Sequence, residues 1–218
     1  MNKISVLVIG SGGREHALSR AIQASPLLDR LYVAPGNAGT ADHNVDLDVA
    51  DHDAVVDFCA DQGVDLVVVG PEGPLVAGIA DALVSAGIRC FGPSAAAAQL
   101  EGSKSFARSF AARHGIPGPV CAPFTNVSDA VDWVDEFPKP VVVKADGLAS
   151  GKGVMVPADR VETERAIYDL LAERTMGEAG ATVLLEERLE GEELSLFGVA
   201  DGRQFILIGS AQDHKRVG

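Results

Sequence analysis

Residues 140–156 read PVVVKADGLASGKGVMV, and no other stretch narrows the choice of fold as far. A β-branched run, Val141 to Val143, ends in Lys144. A short apolar run, Val154 to Val156, follows the glycine-rich segment. Two strands are therefore joined by a loop containing Gly147, Gly151 and Gly153. Glycine has no Cβ to block an approaching anion, so backbone N–H groups in such a loop can turn toward one. Lys144 at the strand end and Lys152 in the loop bring positive charge to the same place. That pattern suits a hinged flap over a polyphosphate. It is not the helix-opening phosphate loop that ends Gly-Lys-Ser/Thr, because Gly153 follows Lys152 and a strand comes next. The plain alternative is a glycine-rich hairpin with two solvated lysines.

Charge sharpens this reading. The 218 residues carry a formal net charge of −13. So acidic a surface repels nucleic acid and anionic lipid, and an anionic small molecule needs a local basic pocket set against the overall field. No apolar run approaches the roughly 20 residues that span a bilayer. The chain enters its first strand almost at once, which predicts no leader peptide and a cytoplasmic location. Cys59, Cys90 and Cys121 are widely spaced and form no metal or disulfide pattern, so packed, reduced thiols are expected.

The first half alternates strands and helices. Ile4–Ile9 and Asp65–Val69 are continuous apolar runs of the kind buried on both faces of a parallel sheet. Shorter strands are expected at Leu31–Ala34 and Arg89–Phe91, with helices at Arg14–Ala24, Asp53–Gln62 and Leu75–Ala86. Short connections between them predict a doubly wound α/β parallel sheet. After Pro93 the pattern changes. Helices are expected at Ala95–Gln99, Ser103–Arg113, Ser128–Glu136 and Glu162–Arg174, and a strand at Thr182–Glu186. Leu194–Ala200 and Gln204–Gly209, joined at Asp201-Gly202, read as a hairpin. The second half is thus α+β.

Four further segments carry candidate chemistry. Gly10-Ser11-Gly12-Gly13-Arg14-Glu15-His16 puts glycines at the carboxyl end of the first strand, where a helix opens and an anion can sit. Glu15 stands where the dinucleotide fingerprint needs glycine, so a smaller phosphorylated or sugar-like ligand fits better than NAD; a tight turn without ligand is the alternative. Gly70-Pro71-Glu72-Gly73-Pro74 lies at another strand end, with Glu72 either facing a hydroxyl or amine or simply solvated. Glu186 to Glu193 offers a backbone that could read a purine edge and carboxylates for ribose hydroxyls, or a solvated acidic run. Asp213, His214, Lys215 and Arg216 form a dense polar cluster, or a charged tail.

Taken together, VLVIGSGGREHAL, APGNAGT, GPEGPLVAG, the segment at Gly102-Ser103-Lys104, VVVKADGLASGKGV, LLEERLEGEELS and SAQDHKRVG resemble the ATP-grasp superfamily and, within it, the phosphoribosylamine–glycine ligases. The resemblance runs from the first strand to the last residue. It implies a Rossmann-like (pre-ATP-grasp) substrate domain over residues 1–101 and an incomplete ATP-grasp domain over 102–218, with a lid subdomain at about 122–188. It implies ATP-dependent joining of glycine to 5-phosphoribosylamine through glycyl phosphate, the second step of purine synthesis. Lys104 and Lys144 would contact ATP phosphates, and Ser150, Gly151, Lys152 and Gly153 would close over them. Glu186, Glu187 and Leu189 would line the adenine pocket, the latter two through backbone, and Glu193 would take the ribose. Gly12, Gly13, Glu15, Asn37, Gly39 and Glu72 would face phosphoribosylamine. Asp213, His214, Lys215 and Arg216 would lie beside the phosphoryl-transfer centre.

Members of that family continue for about as long again, through the residues that hold Mg²⁺ or Mn²⁺, so no metal ligand is expected within 1–218. The missing C-terminal half is then an expected partner, the 218-residue chain alone is expected to be inactive, and the enzyme is expected to be a monomer. Two other readings remain at this stage: a ligase of the same superfamily acting on another carboxylate, and a non-catalytic nucleotide-binding fragment.

Overall fold

The computed structural model describes residues 3–149 and 151–214. Ser150, Lys215 and Arg216 therefore lie outside the described residues. The first half is a four-stranded parallel sheet in the order β2-β1-β3-β4. Its strands are β1 (Ile4–Gly10), β2 (Leu28–Pro35), β3 (Leu66–Val69) and β4 (Arg89–Phe91). Side chains alternate between faces along a strand, and here both faces are covered. Leu7 and Ile9 join Val55 and Cys59 of α2 (His52–Gln62) in one core. Val6 and Val8 pack on the other face, where α1 (Gly13–Gln23) brings Leu18 and Ile22. That double cover is why β1 reads as an uninterrupted apolar run.

One expected element is corrected. The helix foreseen at Leu75–Ala86 is two helices, α3 (Glu72–Val76) and α4 (Ile79–Ser85). Gly78 between them has φ +96°, a left-handed conformation that glycine adopts without steric cost and that a continuous helix excludes. Pro71, at the N-cap, starts α3 earlier than the apolar pattern suggested.

The second half begins with α5 (Ala95–Gly102) and α6 (Lys104–Arg113), the latter capped by the Ser103 hydroxyl, which accepts from the Phe106 N–H. An antiparallel sheet follows in the order β5-β8-β6-β7. It consists of β5 (Cys121–Phe124), β6 (Val141–Ala145), β7 (Val154–Met155) and β8 (Val183–Glu187). Strand β5 was not foreseen, because Pro123 sits within it; as an edge strand it tolerates the missing N–H. Helices α7 (Val127–Glu136) and α8 (Arg160–Leu171) cover one face. Val143 and Ala145 of β6 and Val183 and Leu185 of β8 point into that core against Ala130, Ile167 and Leu170.

Strands β9 (Leu194–Ala200) and β10 (Phe205–Gln212) form a separate antiparallel hairpin. Consecutive apolar residues Phe205, Ile206, Leu207 and Ile208 are all more than half exposed, so both faces of this hairpin are open. Its Gly198–Ala200 stretch lines a cavity of about 430 Å³ together with Cys90–Pro93 of the first half.

Candidate nucleotide site

Alternation in the second sheet decides where the charged groups go. With Val143, Ala145 and Leu185 committed to the helices, Val142, Lys144 and Glu186 must face the other way. The register then sets neighbours: Glu186 pairs with Val142 on one side and with Cys121 of β5 on the other. Lys144 is ion-paired to Glu186 Oε2 on this face, opposite α7 and α8. The opposite carboxylate oxygen accepts a hydrogen bond from Arg108 Nε of α6 at 2.6 Å, and Arg108 Nη2 lies 3.4 Å from Oε2. The Glu186 residue is only 3% exposed. Burial pushes its carboxyl pKa upward, but the contacts from Arg108 and Lys144 outweigh that and hold it below the ordinary carboxylate range. The Cys121 thiol beside it is pushed up, first by burial and then by the Glu186 charge.

Lys104 is brought to the same corner by Asp146. The Asp146 carboxylate accepts from the Ser103 hydroxyl at 2.8 Å and from the Ser105 N–H at 2.6 Å, which pins the first turn of α6 to the end of β6. The Lys104 ammonium donates to the carbonyls of Asp146 and Gly147, at 3.4 and 3.1 Å. Burial lowers the Lys104 pKa, and the neighbouring Lys144 charge lowers it further against the pull of Asp146. The two lysines are therefore close enough to feel each other's charge.

The root of the glycine flap is anchored. Asp146 and Gly147 donate their N–H groups to the carbonyls of Thr182 and Ala179, at 3.0 and 3.1 Å. A Cβ on Gly147 would come within 3.0 Å of the Ala179 Cα. The flap returns at Gly153, whose carbonyl accepts from the Ala145 N–H at 2.7 Å. Between these anchors Gly151 has φ +76°, and Lys152 is exposed.

In the first half, the strand-end glycines turn out to surround a side chain of the protein itself. Glu15 is 3% exposed and fills the gap between the ends of β1 and β3. Its carboxylate accepts from the Gly12 N–H at 2.7 Å and from Arg14 Nε at 2.9 Å. Burial raises its pKa, and those two donors bring it back below the ordinary value. Arg14 extends toward Glu72, Nη2 to Oε2 being 3.7 Å. Asn37 closes the neighbouring loop, donating to the Ser11 and Gly12 carbonyls at 2.9 and 3.2 Å and accepting from the Gly39 N–H at 2.8 Å. The His16 ring packs on Gly39, where a Cβ would lie 2.2 Å from His16 Cε1.

Thus Lys104, Lys144, Glu186 and the flap root come together, and Gly12, Glu15, Asn37, Gly39 and Glu72 form a second group. Gly13 opens α1 beside the latter. The Glu187 side chain turns away to Lys139, and its N–H is taken by the Val120 carbonyl. Leu189 is 64% exposed. Glu193 and Asp213 meet across the hairpin, the Asp213 N–H donating to the Glu193 carbonyl at 3.1 Å, and His214 follows in the open. Arg108, Asp146, Ser103 and Ser105 were missed by sequence reasoning. Ser103 carried a usable signal as a helix-capping residue; Arg108 carried none. Among the described residues, no group of three or more His, Cys, Asp or Glu could hold a metal ion, and no helix is long and apolar enough to cross a membrane.

A parallel strand-and-helix domain, then a sheet with a lysine-flanked glycine flap, is the architecture of the ATP-grasp ligases. A D-alanyl-alanine synthetase from Vibrio cholerae superposes on 97% of the chain with TM-score 0.71 at 16% identity, a likeness of fold alone. A phosphoribosylamine–glycine ligase from Thermotoga maritima gives TM-score 0.79 at 29% identity, over 98% of this chain and 51% of that one. Residues 4–101 match the N domain of phosphoribosylglycinamide synthetase, and residues 102–218 match its ATP-grasp (A) domain. The chain belongs to the phosphoribosylglycinamide synthetase family. It is 50% identical to the phosphoribosylamine–glycine ligase of Vibrio cholerae and 53% to that of Mesorhizobium japonicum, over 99% of its own length in each case. It spans about half the length of these relatives, 51% of each.

Proposed function

We propose that the chain is the substrate- and nucleotide-binding portion of an ATP-dependent ligase that joins glycine to 5-phosphoribosylamine. In this reading residues 1–101 hold phosphoribosylamine, through Gly12, Gly13, Glu15, Asn37, Gly39 and Glu72. Residues 102–218 hold ATP. Lys104 and Lys144 take the phosphates, and Ser150, Gly151, Lys152 and Gly153 close over them. Glu186 receives the adenine amino group, Glu187 and Leu189 contribute backbone, and Glu193 takes the ribose hydroxyls. Asp213, His214, Lys215 and Arg216 flank the reacting groups.

The chemistry follows from the poor reactivity of a carboxylate. A glycine carboxylate oxygen takes the γ-phosphoryl group, and the bond to the ADP oxygen breaks. The amine of phosphoribosylamine then attacks the activated carbonyl and loses its proton, and phosphate leaves. Work of this kind is mostly positioning and charge neutralisation. Mg²⁺ or Mn²⁺ would supply further neutralisation, but the described residues offer it no ligand set, and the phosphate grip argued here rests on the lysines.

The observation that carries the proposal is the convergence of Lys104 and Lys144 on the flap root, on the sheet face opposite α7 and α8. Titration of ADP or ATP into the 218-residue chain should shift the amide signals of Gly147, Gly151 and Gly153. Lys144→Ala removes a charge-assisted contact of about 1.5–3 kcal/mol, which should weaken binding roughly 10- to 150-fold. Unmoved flap amides, or unchanged affinity in the variant, would refute the assignment. Glycine-dependent ADP release is expected only when the missing half of the enzyme is present.

A further inference from the structure

Glu186 has two cationic partners on the free chain, and the proposed function needs one of them elsewhere. Lys144 cannot neutralise a nucleotide phosphate while it neutralises Glu186. Its ammonium rides on a flexible four-carbon stem and can be redirected; the Arg108 guanidinium is a rigid planar fork set on a helix. We infer that Arg108 is a positioning residue for nucleotide binding: it keeps Glu186 anchored and ionised while Lys144 is handed to the phosphates. The inference rests on the proposed nucleotide site, but its first half concerns the free chain alone.

The geometry supports a division of labour. Arg108 Nε meets Oε1 at 2.6 Å, whereas Lys144 meets Oε2, so Lys144 can leave while the arginine contact to the other oxygen stays in place. The Glu186 side chain is 4% exposed, so water cannot replace a lost partner. A buried carboxylate left without a partner takes up a proton instead of remaining charged. The other titratable groups facing Glu186 are Cys121 from β5, whose thiol is pushed up and stays neutral, and Lys104 at longer range, which is held by Asp146 and Gly147. Neither can stand in for Arg108. An ionised Glu186 only accepts hydrogen bonds, which suits an amino group on the base; a protonated one would also donate. Arg108 thus sets the protonation state that recognition of adenine requires, without itself touching the nucleotide.

The test counts protons. ADP is titrated calorimetrically at pH 7.5 into the wild-type chain, Arg108→Met, Arg108→Gln and the double variant Arg108→Met/Glu186→Gln, each in two buffers of different ionisation enthalpy. The wild type should bind without net proton exchange. Either single variant should take up a proton, approaching about one per nucleotide, and the double variant should return to none. In parallel, the side-chain carboxyl carbon of Glu186 is titrated by NMR in the free chains; its midpoint should rise when Arg108 is replaced. Absence of proton uptake in both single variants, or an unmoved Glu186 midpoint, overturns the inference. A merely structural arginine would alter stability and the Glu186 midpoint but not the proton count on binding. Failure of the wild type to bind ADP would instead strike the proposed nucleotide site, and the free-chain titration would still decide whether Arg108 keeps Glu186 ionised.

Discussion

Gly70→Ala tests whether Glu15 is a structural plug between the strand ends. A Cβ at this position would lie 2.1 Å from Glu15 Oε1 and 2.5 Å from its Cγ. The side chain cannot swing aside, because Gly10 and Gly12 wall its other flank: a Cβ on Gly10 would meet Glu15 Cγ at 2.5 Å, and one on Gly12 would meet Oε2 at 2.9 Å. Overpacking of this kind costs about 1–3 kcal/mol. If the carboxylate is driven off, the charge-assisted bond to the Gly12 N–H adds about 1–3 kcal/mol. The expected loss is therefore about 2–6 kcal/mol, confined to the first half. Glu15→Ala removes the obstacle, so Gly70→Ala should cost at least about 1 kcal/mol less in that background. Native-state hydrogen exchange of the β1 and β3 amides measures both costs, with Trp133 emission as a control for the second half. Additivity within about 0.5 kcal/mol would show that the two residues do not compete for space.

Three further outcomes are expected. Ile167→Ala should cost about 2–5 kcal/mol, because Ile167 is fully buried between α8 and the second sheet; urea unfolding followed by Trp133 emission reads the loss. The Cys59 thiol is pushed up from 9.0 to about 11, by burial and then by Cys90. A pKa raised on folding gives stability that is complete below about 9 and is lost as pH rises through about 11. Unfolding free energy should therefore fall over that window, and the fall should be shallower in Cys59→Ala; equal slopes would refute this. Finally, Leu207 and Phe205 are 56% and 67% exposed on an unpaired hairpin, so the chain should self-associate with concentration; sedimentation of a Leu207→Lys/Phe205→Lys variant should show less association.

What could be seen in advance depended on how local its cause was. The buried strands β1 and β3 announced themselves because covering both faces demands unbroken apolar runs. The flap lysine was legible for the same reason, sitting where a β-branched run meets glycine. The break at Gly78 was hidden, because a lone glycine is tolerated inside a helical pattern and only the fold requires the turn. Strand β5 was masked by Pro123, which is tolerated only at an edge the sequence does not declare. Arg108 was invisible because its partner is 78 residues away and is aligned only by the register of β5 and β8. The bond from the Gly12 N–H to Glu15 was not foreseen, since a burial of 3% leaves no trace in a list of residue types.

The open hairpin has a consequence during synthesis. The parallel sheet completes itself by Phe91 and its core by Ala98 of α5, so the first half can close once that length has emerged from the ribosome. The β9–β10 ribbon emerges long afterwards, greasy on both sides, and the strands made before it leave it uncovered. A growing chain must therefore pass through a stage at which one end is already native and the other is still adhesive.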